Sequence, residues 1–311
     1  MPHKYHSNGK LLITGEYTVL DGAKSLALPT KFGQTLTVEE TESKTILWKA
    51  LRHNNEEWFT TEIDLLRLEN KTEDAIINTT NNQITETLLN ILTEAKLLNP
   101  SFLKGSKGVK VITKLEFPEN WGLGSSSTLI NNIASWANVN AFTLLWNSFS
   151  GSGYDIACAQ NDSPIVYKLE HKNPQIETVK FDPAFKDQLF FIHLNKKQNS
   201  REGIDRYRKT TSLEDKAKAI KSIDIITEKI QNAQNLTLFE NLLKEHEEVI
   251  ASIIKLQPVK DYLFKDFKGE IKSLGAWGGD FILATGEKAY ITNYFNEKGY
   301  HTILSYKEMI A

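Results

Sequence analysis

Apolar and polar residues alternate along much of the first third of the chain, and each alternating run predicts a strand. Lys10–Leu20 (KLLITGEYTVL) is apolar and β-branched, is interrupted at Gly15, and closes on the turn signal Asp21-Gly22. Ser25–Glu40 continues with period two at Leu36 and Val38. Shorter strands are expected at Thr45–Lys49 and Trp58–Ile63, and Gly108–Phe117 alternates again. A helical period appears at Ile84–Leu98, where Ile84, Leu88, Leu92 and Ala95 share a face. It returns after Ser127, with Leu129, Ile130, Ile133, Ala134 and Ala137 turned inward. Pro164–Glu170 and Gln188–Leu194 read as strands.

Beyond Ser200 the pattern lengthens. Ser212–Gln234 and Thr237–Leu256 are amphipathic helices, opened by Ser212 with Asp215 and by Thr237 with Glu240. A strand at Phe281–Thr285, a helix at Lys288–Lys298 and a strand at His301–Tyr306 complete the chain. A strand-rich first half and a helix-plus-strand second half define an α+β protein. The pairs Asn173-Pro174 and Asp182-Pro183 mark the expected boundary, giving domains 1–180 and 181–311.

Composition narrows the classes. A length of 311 residues fits two domains better than one. With 37 Lys+Arg against 39 Asp+Glu the formal charge is −2, which argues against a nucleic-acid binder carried by a global basic field. No apolar run reaches the length of a membrane span, and MPHKYHSNGKLL lacks a signal peptide's apolar core, so a cytoplasmic location is expected. Cys158 is the single cysteine, which excludes an internal disulfide. It reads as a small buried helix residue.

Three glycine-rich segments could carry chemistry. In PENWGLGSSS, Gly122 and Gly124 allow a tight turn and Ser125, Ser126 and Ser127 open a helix. A helix start of this kind is a ready anion site, though a glycine turn with a serine cap is as good a reading. In Ser152-Gly153-Tyr154-Asp155 the acid could take a proton from a hydroxyl, or simply cap the helix. Lys10 is a lone cation in an apolar strand, able to neutralise Asp155 or a phosphate or to end the strand in solvent. Gly275, Gly278 and Gly279 precede an apolar strand and mean close backbone approach or a bulge, with Asp280 an ordinary surface acid.

In order and company these elements resemble the GHMP kinase superfamily (galactokinase, homoserine kinase, mevalonate kinase, phosphomevalonate kinase). SNGKLLITGEYTVLDGA is similar to its first motif, PENWGLGSSS to its second, SGYD to the element carrying its catalytic acid, and KSLGAWGGD to its third. The GYDIA string resembles a bacterial group of these kinases, and ITGEYTVLDG with the GGD ending looks most like phosphomevalonate kinases. The resemblance covers essentially the whole chain. It implies a two-domain fold, ribosomal-protein-S5-domain-2-like then ferredoxin-like, that binds ATP and Mg²⁺ and phosphorylates a small acceptor. No nucleic acid or membrane partner is expected, and the protein would be a monomer or homodimer.

The same resemblance implies the site residues. Lys10 and Asp155 would be catalytic, and Gly122, Leu123, Gly124, Ser125, Ser126 and Ser127 would hold the nucleotide, with Ser125 or Ser126 reaching the metal. Glu16, Tyr154, Gly275, Gly278 and Gly279 would serve the acceptor side. Lys197, Ser200 and Arg201 of KKQNSR would bind an anionic group there, unless that segment is a solvated turn. Three departures bear on the substrate: Trp277 replaces a usual glycine, Leu144 stands where mevalonate kinase has a metal-binding glutamate, and only 24 residues separate Ser127 from Ser152. Phosphomevalonate or mevalonate leads as acceptor, ahead of another small alcohol (a sugar or homoserine). A non-catalytic protein of the same fold is the third reading.

Overall fold

A computed structural model describes residues 2–68, 73–105, 107–275 and 277–311. The chain forms two compact units. The first comprises Met1–Gly9, Phe32–Glu119 and Gly124–Gln160; the second comprises Lys10–Lys31, Asn120–Leu123 and Asn161–Ala311. The boundary drawn at residue 180 therefore falls inside the second unit.

In the first unit the alternating runs become β1 (His3–Leu12), β2 (Ser25–Thr41), β3 (Thr45–Leu51), β4 (Glu57–Asp64) and β5 (Ile76–Thr79). Helix α1 (Asn82–Leu98) then leads to β6 (Gly108–Leu115). The strand order is β5-β4-β3-β6-β2, with β1 pairing β2. Only β3 and β6 run parallel, from Ile46 opposite Val109 to Leu51 opposite Lys114. A parallel pair needs a crossover, and the segment containing α1 supplies it. Leu36, Val38, Ile46, Trp48, Phe59 and Ile63 are buried, as are Leu88, Leu92 and Ala95 of α1. Helices α2 (Ser125–Ala137), α3 (Ala141–Ser148) and α4 (Tyr154–Ala159) follow, with α2 packed against α1, α3 and α4.

In the second unit, residues 25–27 of β2 pair with β7 (Ile165–Glu170), which forms a hairpin with β8 (Asn173–Thr178). The hairpin replaces the interdomain linker expected around the Asn173-Pro174 pair. Its two turn residues, His171 and Lys172, are both left-handed, as a primed turn requires. Strand β9 (Leu189–His193) is followed by α5 (Ser200–Thr210), α6 (Leu213–Gln231), α7 (Leu236–Ile254) and α8 (Val259–Leu263). Then come β10 (Ile271–Leu274), β11 (Phe281–Thr285), α9 (Lys288–Glu297), β12 (Ile303–Ser305) and the short α10 (Tyr306–Met309).

The order β10-β11-β9-β12, antiparallel throughout, is the ferredoxin-like arrangement. Phe190, Ile192, Ile282 and Ala284 of this sheet pack with Phe264, Phe267, Ile291 and Phe295. The expected strand at Lys10–Leu20 stops at Leu12. Gly15 (φ +94°) and Tyr17 (φ +61°) take left-handed backbone that no strand tolerates, and Thr18–Asp21 closes as a 3₁₀ turn.

Candidate active site

The first unit presents two glycine-led helix starts. Gly124 (φ +89°) turns the chain into α2, whose first turn carries the half-buried Ser125 and Ser127 and the exposed Ser126. Gly153 does the same for α4, placing Tyr154 and Asp155, both half-buried, in its first turn. A buried polar seam fixes α2. Gln160 Nε2 donates to Asn131 Oδ1 (2.9 Å), Asn131 Nδ2 to Ser7 Oγ (2.9 Å), and Ser7 Oγ to Asn132 Oδ1 (2.8 Å). Asn132 Nδ2 then donates to the Gln34 carbonyl (2.9 Å), and Thr128 Oγ1 to Gln34 Oε1 (2.8 Å). Each of these bonds is between neutral groups, and together they tie α2 to β1 and β2.

The second unit gathers the remaining elements. Lys10 donates its backbone N–H to Leu123 and its Nζ to the Gly122 carbonyl, both at 3.0 Å. Asp280, expected as a surface acid, is only 9% exposed and left-handed (φ +52°). Its carboxylate fills the space a Cβ would need at Gly122, with Oδ2 2.3 Å from that ideal position. Burial pushes the Asp280 carboxyl up, opposed by the Gln198 N–H and by the charges of Lys10, His193 and Lys197. Lys196, Lys197, Ser200 and Arg201 are exposed, the last two opening α5 behind the cap Asn199. His193 is packed in β9, its Nε2 3.0 Å from the Asn120 carbonyl.

Beneath the third glycine segment lies a charged core. Glu16 and Lys272, both fully buried, form an ion pair, and Glu247 Oε1 stands 3.7 Å from the same ammonium. Lys272 Nζ also donates to the Ser273 carbonyl at 2.7 Å. Burial pushes Glu247 up to about 8, against the pull of Lys272, and raises Glu16 in the same direction. Gly15 N–H donates to His246 Nε2 (2.9 Å), so the imidazole is neutral with its proton on Nδ1, and burial holds it well below its usual range. Its 3.2 Å approach to Glu16 Oε2 is therefore not an ion pair. Glu16 Oε2, His246 Nδ1 and Glu247 Oε1 have no hydrogen-bond partner among the described residues.

Trp277 is buried. Its indole N–H donates to the Gln257 carbonyl (3.0 Å) and its backbone N–H to Tyr17 Oη (3.1 Å), inside the second unit. Gly278 is exposed and Gly279 buried. Cys158 is fully buried, as expected. Sequence reasoning missed Lys272 and Asp280. A lysine inside the apolar strand IKSL, and an acid directly after two glycines, were the available signals.

The α+β fold, with its ferredoxin-like second half and its glycine turns in that order, is the fold of the GHMP kinases. It matches the Methanococcus jannaschii mevalonate kinase at TM-score 0.69 and 14% identity, over 98% of each chain. The Streptococcus pneumoniae phosphomevalonate kinase, solved with phosphomevalonate and AMPPNP, matches at 0.69 and 15%, over 97% of this chain and 99% of that one. The Lactococcus lactis galactokinase, solved with galactose, matches at 0.66 and 16%, over 98% and 92%. No family model and no curated protein matches the sequence. Among the described residues no helix is long and apolar enough to cross a membrane.

Proposed function

We propose that this chain is an ATP-dependent phosphotransferase that passes a γ-phosphoryl group to the hydroxyl or phosphate of a small acceptor in the mevalonate pathway, phosphomevalonate or mevalonate. The observation that carries the reading is the turn at Gly122–Ser127: Lys10 braces its glycine carbonyl, and three serines begin the helix that follows. Backbone N–H groups at such a start suit β- and γ-phosphates. Phosphoryl transfer asks for positioning and charge neutralisation rather than covalent chemistry. In this reading Lys10 stabilises charge on the transferring group, and Asp155 accepts or orients the acceptor's hydroxyl proton. Lys197, Ser200 and Arg201 bind an anionic group of the acceptor. Glu16 acts through Lys272, to which it is bound.

Magnesium fits the donor set on α2. The hydroxyls of Ser125 and Ser126 are hard oxygen ligands, and no group of three His, Cys, Asp or Glu able to hold a metal exists among the described residues. A magnesium ion would thus be held chiefly through the nucleotide, and when bound it supplies positive charge to the phosphates.

ATP consumption over mevalonate, phosphomevalonate, galactose and homoserine tests the reading. One of the first two should be phosphorylated fastest, and Asp155→Asn should cut that turnover by about 10²–10⁴ with nucleotide binding retained. Transfer only to galactose or homoserine would move the protein out of the pathway. Transfer to none would leave a non-catalytic protein.

A further inference from the structure

Asp280 is the meeting point of three segments of the second unit. Its carboxylate lies against the α-carbon of Gly122, on the turn whose carbonyl Lys10 holds. Oδ1 accepts from the Gln198 N–H at 3.2 Å. The Asp280 N–H donates to the Lys196 carbonyl and its own carbonyl accepts from the Leu194 N–H, both at 2.8 Å. At the neighbouring Gly279 an ideal Cβ would lie 2.5 Å from Gln198 Cβ, so the two backbones touch. An acid with a left-handed backbone, nearly buried, is a costly feature. Nothing in the packing of β11 requires it, because the strand begins only at Phe281.

We propose that Asp280 is a positioning residue for phosphoryl transfer. Wedged between Gly122 and Gln198, its side chain holds the loop carrying Lys196 and Lys197 in fixed register with the phosphate turn. The inference rests on the phosphotransferase reading, since that reading makes residues 197–201 the acceptor's anion site. The carboxylate touches neither reacting atom. It sets where the acceptor loop begins relative to the turn at Gly122. Shape and one hydrogen bond carry this role, so asparagine, which also tolerates left-handed backbone and offers Oδ1 to Gln198, should substitute for it. Glycine keeps the backbone and removes the wedge.

Two measurements without substrate test the wedge. Gly122→Ala drives a Cβ onto the carboxylate and also strains a left-handed backbone (φ +66°), so it should lower the thermal midpoint. In an Asp280→Gly background the part of that loss due to the clash should vanish, because the obstructing atoms are gone, and the backbone part should remain. Hydrogen exchange at the Gln198 amide should quicken in Asp280→Gly and stay slow in Asp280→Asn. Equal losses in both backgrounds, or unchanged exchange, overturn the wedge. With the acceptor from the panel above, Asp280→Gly should raise acceptor KM about 10-fold or more, move ATP KM far less, and be rescued by Asp280→Asn. Equal effects of the two variants on KM and kcat would make Asp280 merely structural. If no acceptor is phosphorylated, the reading of function falls, while the cycle and the exchange still decide whether the wedge exists.

Discussion

The two units bury polarity in opposite ways. In the first, Ser7, Gln34, Thr128, Asn131 and Asn132 form a neutral chain in which every donor finds an acceptor. In the second, Glu16 and Glu247 bury two carboxyl groups around the one ammonium of Lys272, and two carboxyl oxygens have no hydrogen bond among the described residues. Both devices sit directly behind glycine-rich segments. A neutral seam fixes a helix end at small electrostatic cost and is indifferent to pH. A charged core fixes β10 and the Gly15–Glu16 turn to each other more stiffly, because removing any one charge strands another.

The difference is most exposed at Lys272. Lys272→Met should cost about 3–5 kcal/mol in urea unfolding, since Glu16 would be left buried without its cation, and adding Glu16→Gln should restore most of it. A loss no larger than that of a surface substitution would remove the ion pair from the comparison. Next comes the pH response. The folded-state pKa of Glu247, about 8, lies above the ordinary carboxylate value, so the native state keeps a proton that the unfolded chain releases. Stability contributed at this position is therefore full at acid pH and lost as pH rises towards about 8. Glu247→Gln has no proton to lose, so its thermal midpoint should gain on wild type steadily from pH 5 to pH 8. A constant offset would show Glu247 already ionised.

The neutral seam predicts the contrary behaviour. Asn132→Leu takes away the acceptor of the Ser7 hydroxyl and the amide that donates to the Gln34 carbonyl, and should cost about 1–3 kcal/mol, equally at pH 5 and pH 8. A strongly pH-dependent loss would place a titrating group in the seam. The smallest effect on stability belongs to Ser126→Ala, within about 0.5 kcal/mol because the side chain is exposed. Nucleotide affinity should nonetheless fall, read by calorimetric titration with a non-hydrolysable ATP analogue. Unchanged affinity would move the nucleotide off α2.

Legibility in the sequence followed the visibility of one-sided burial. β6 and the second half of β2 alternate against a core, and α1 carries a continuous apolar stripe, so pattern alone located them. Strand β8 has no buried residue and α5 buries only Tyr207, so neither shows a period to read. The helix at Leu236–Ile254 was expected from Thr237, but Asn235 makes the capping bond. Glycine turns were legible because left-handed backbone selects glycine. Tyr17 and Asp280 take the same backbone without it, and nothing local announces them. The seam was hidden for another reason: Asn131 and Asn132 look like the polar face of α2, and only the neighbours from β1 and β2 make them interior.

Glu16 and Lys272 are 256 residues apart along the chain. A ribosome adding about 5–20 residues per second delivers the lysine roughly 13–50 s after the glutamate. Most of the first unit lies between Phe32 and Gln160, so its sheet and helices can assemble while the remainder is still being made. The segment Lys10–Lys31 belongs to the second unit and cannot. Leu11, Leu12, Ile13, Leu26 and Leu28, all buried in the finished protein, are made well before residues 161–311 of the same unit. The second unit therefore cannot complete its charged core until β10 has been made.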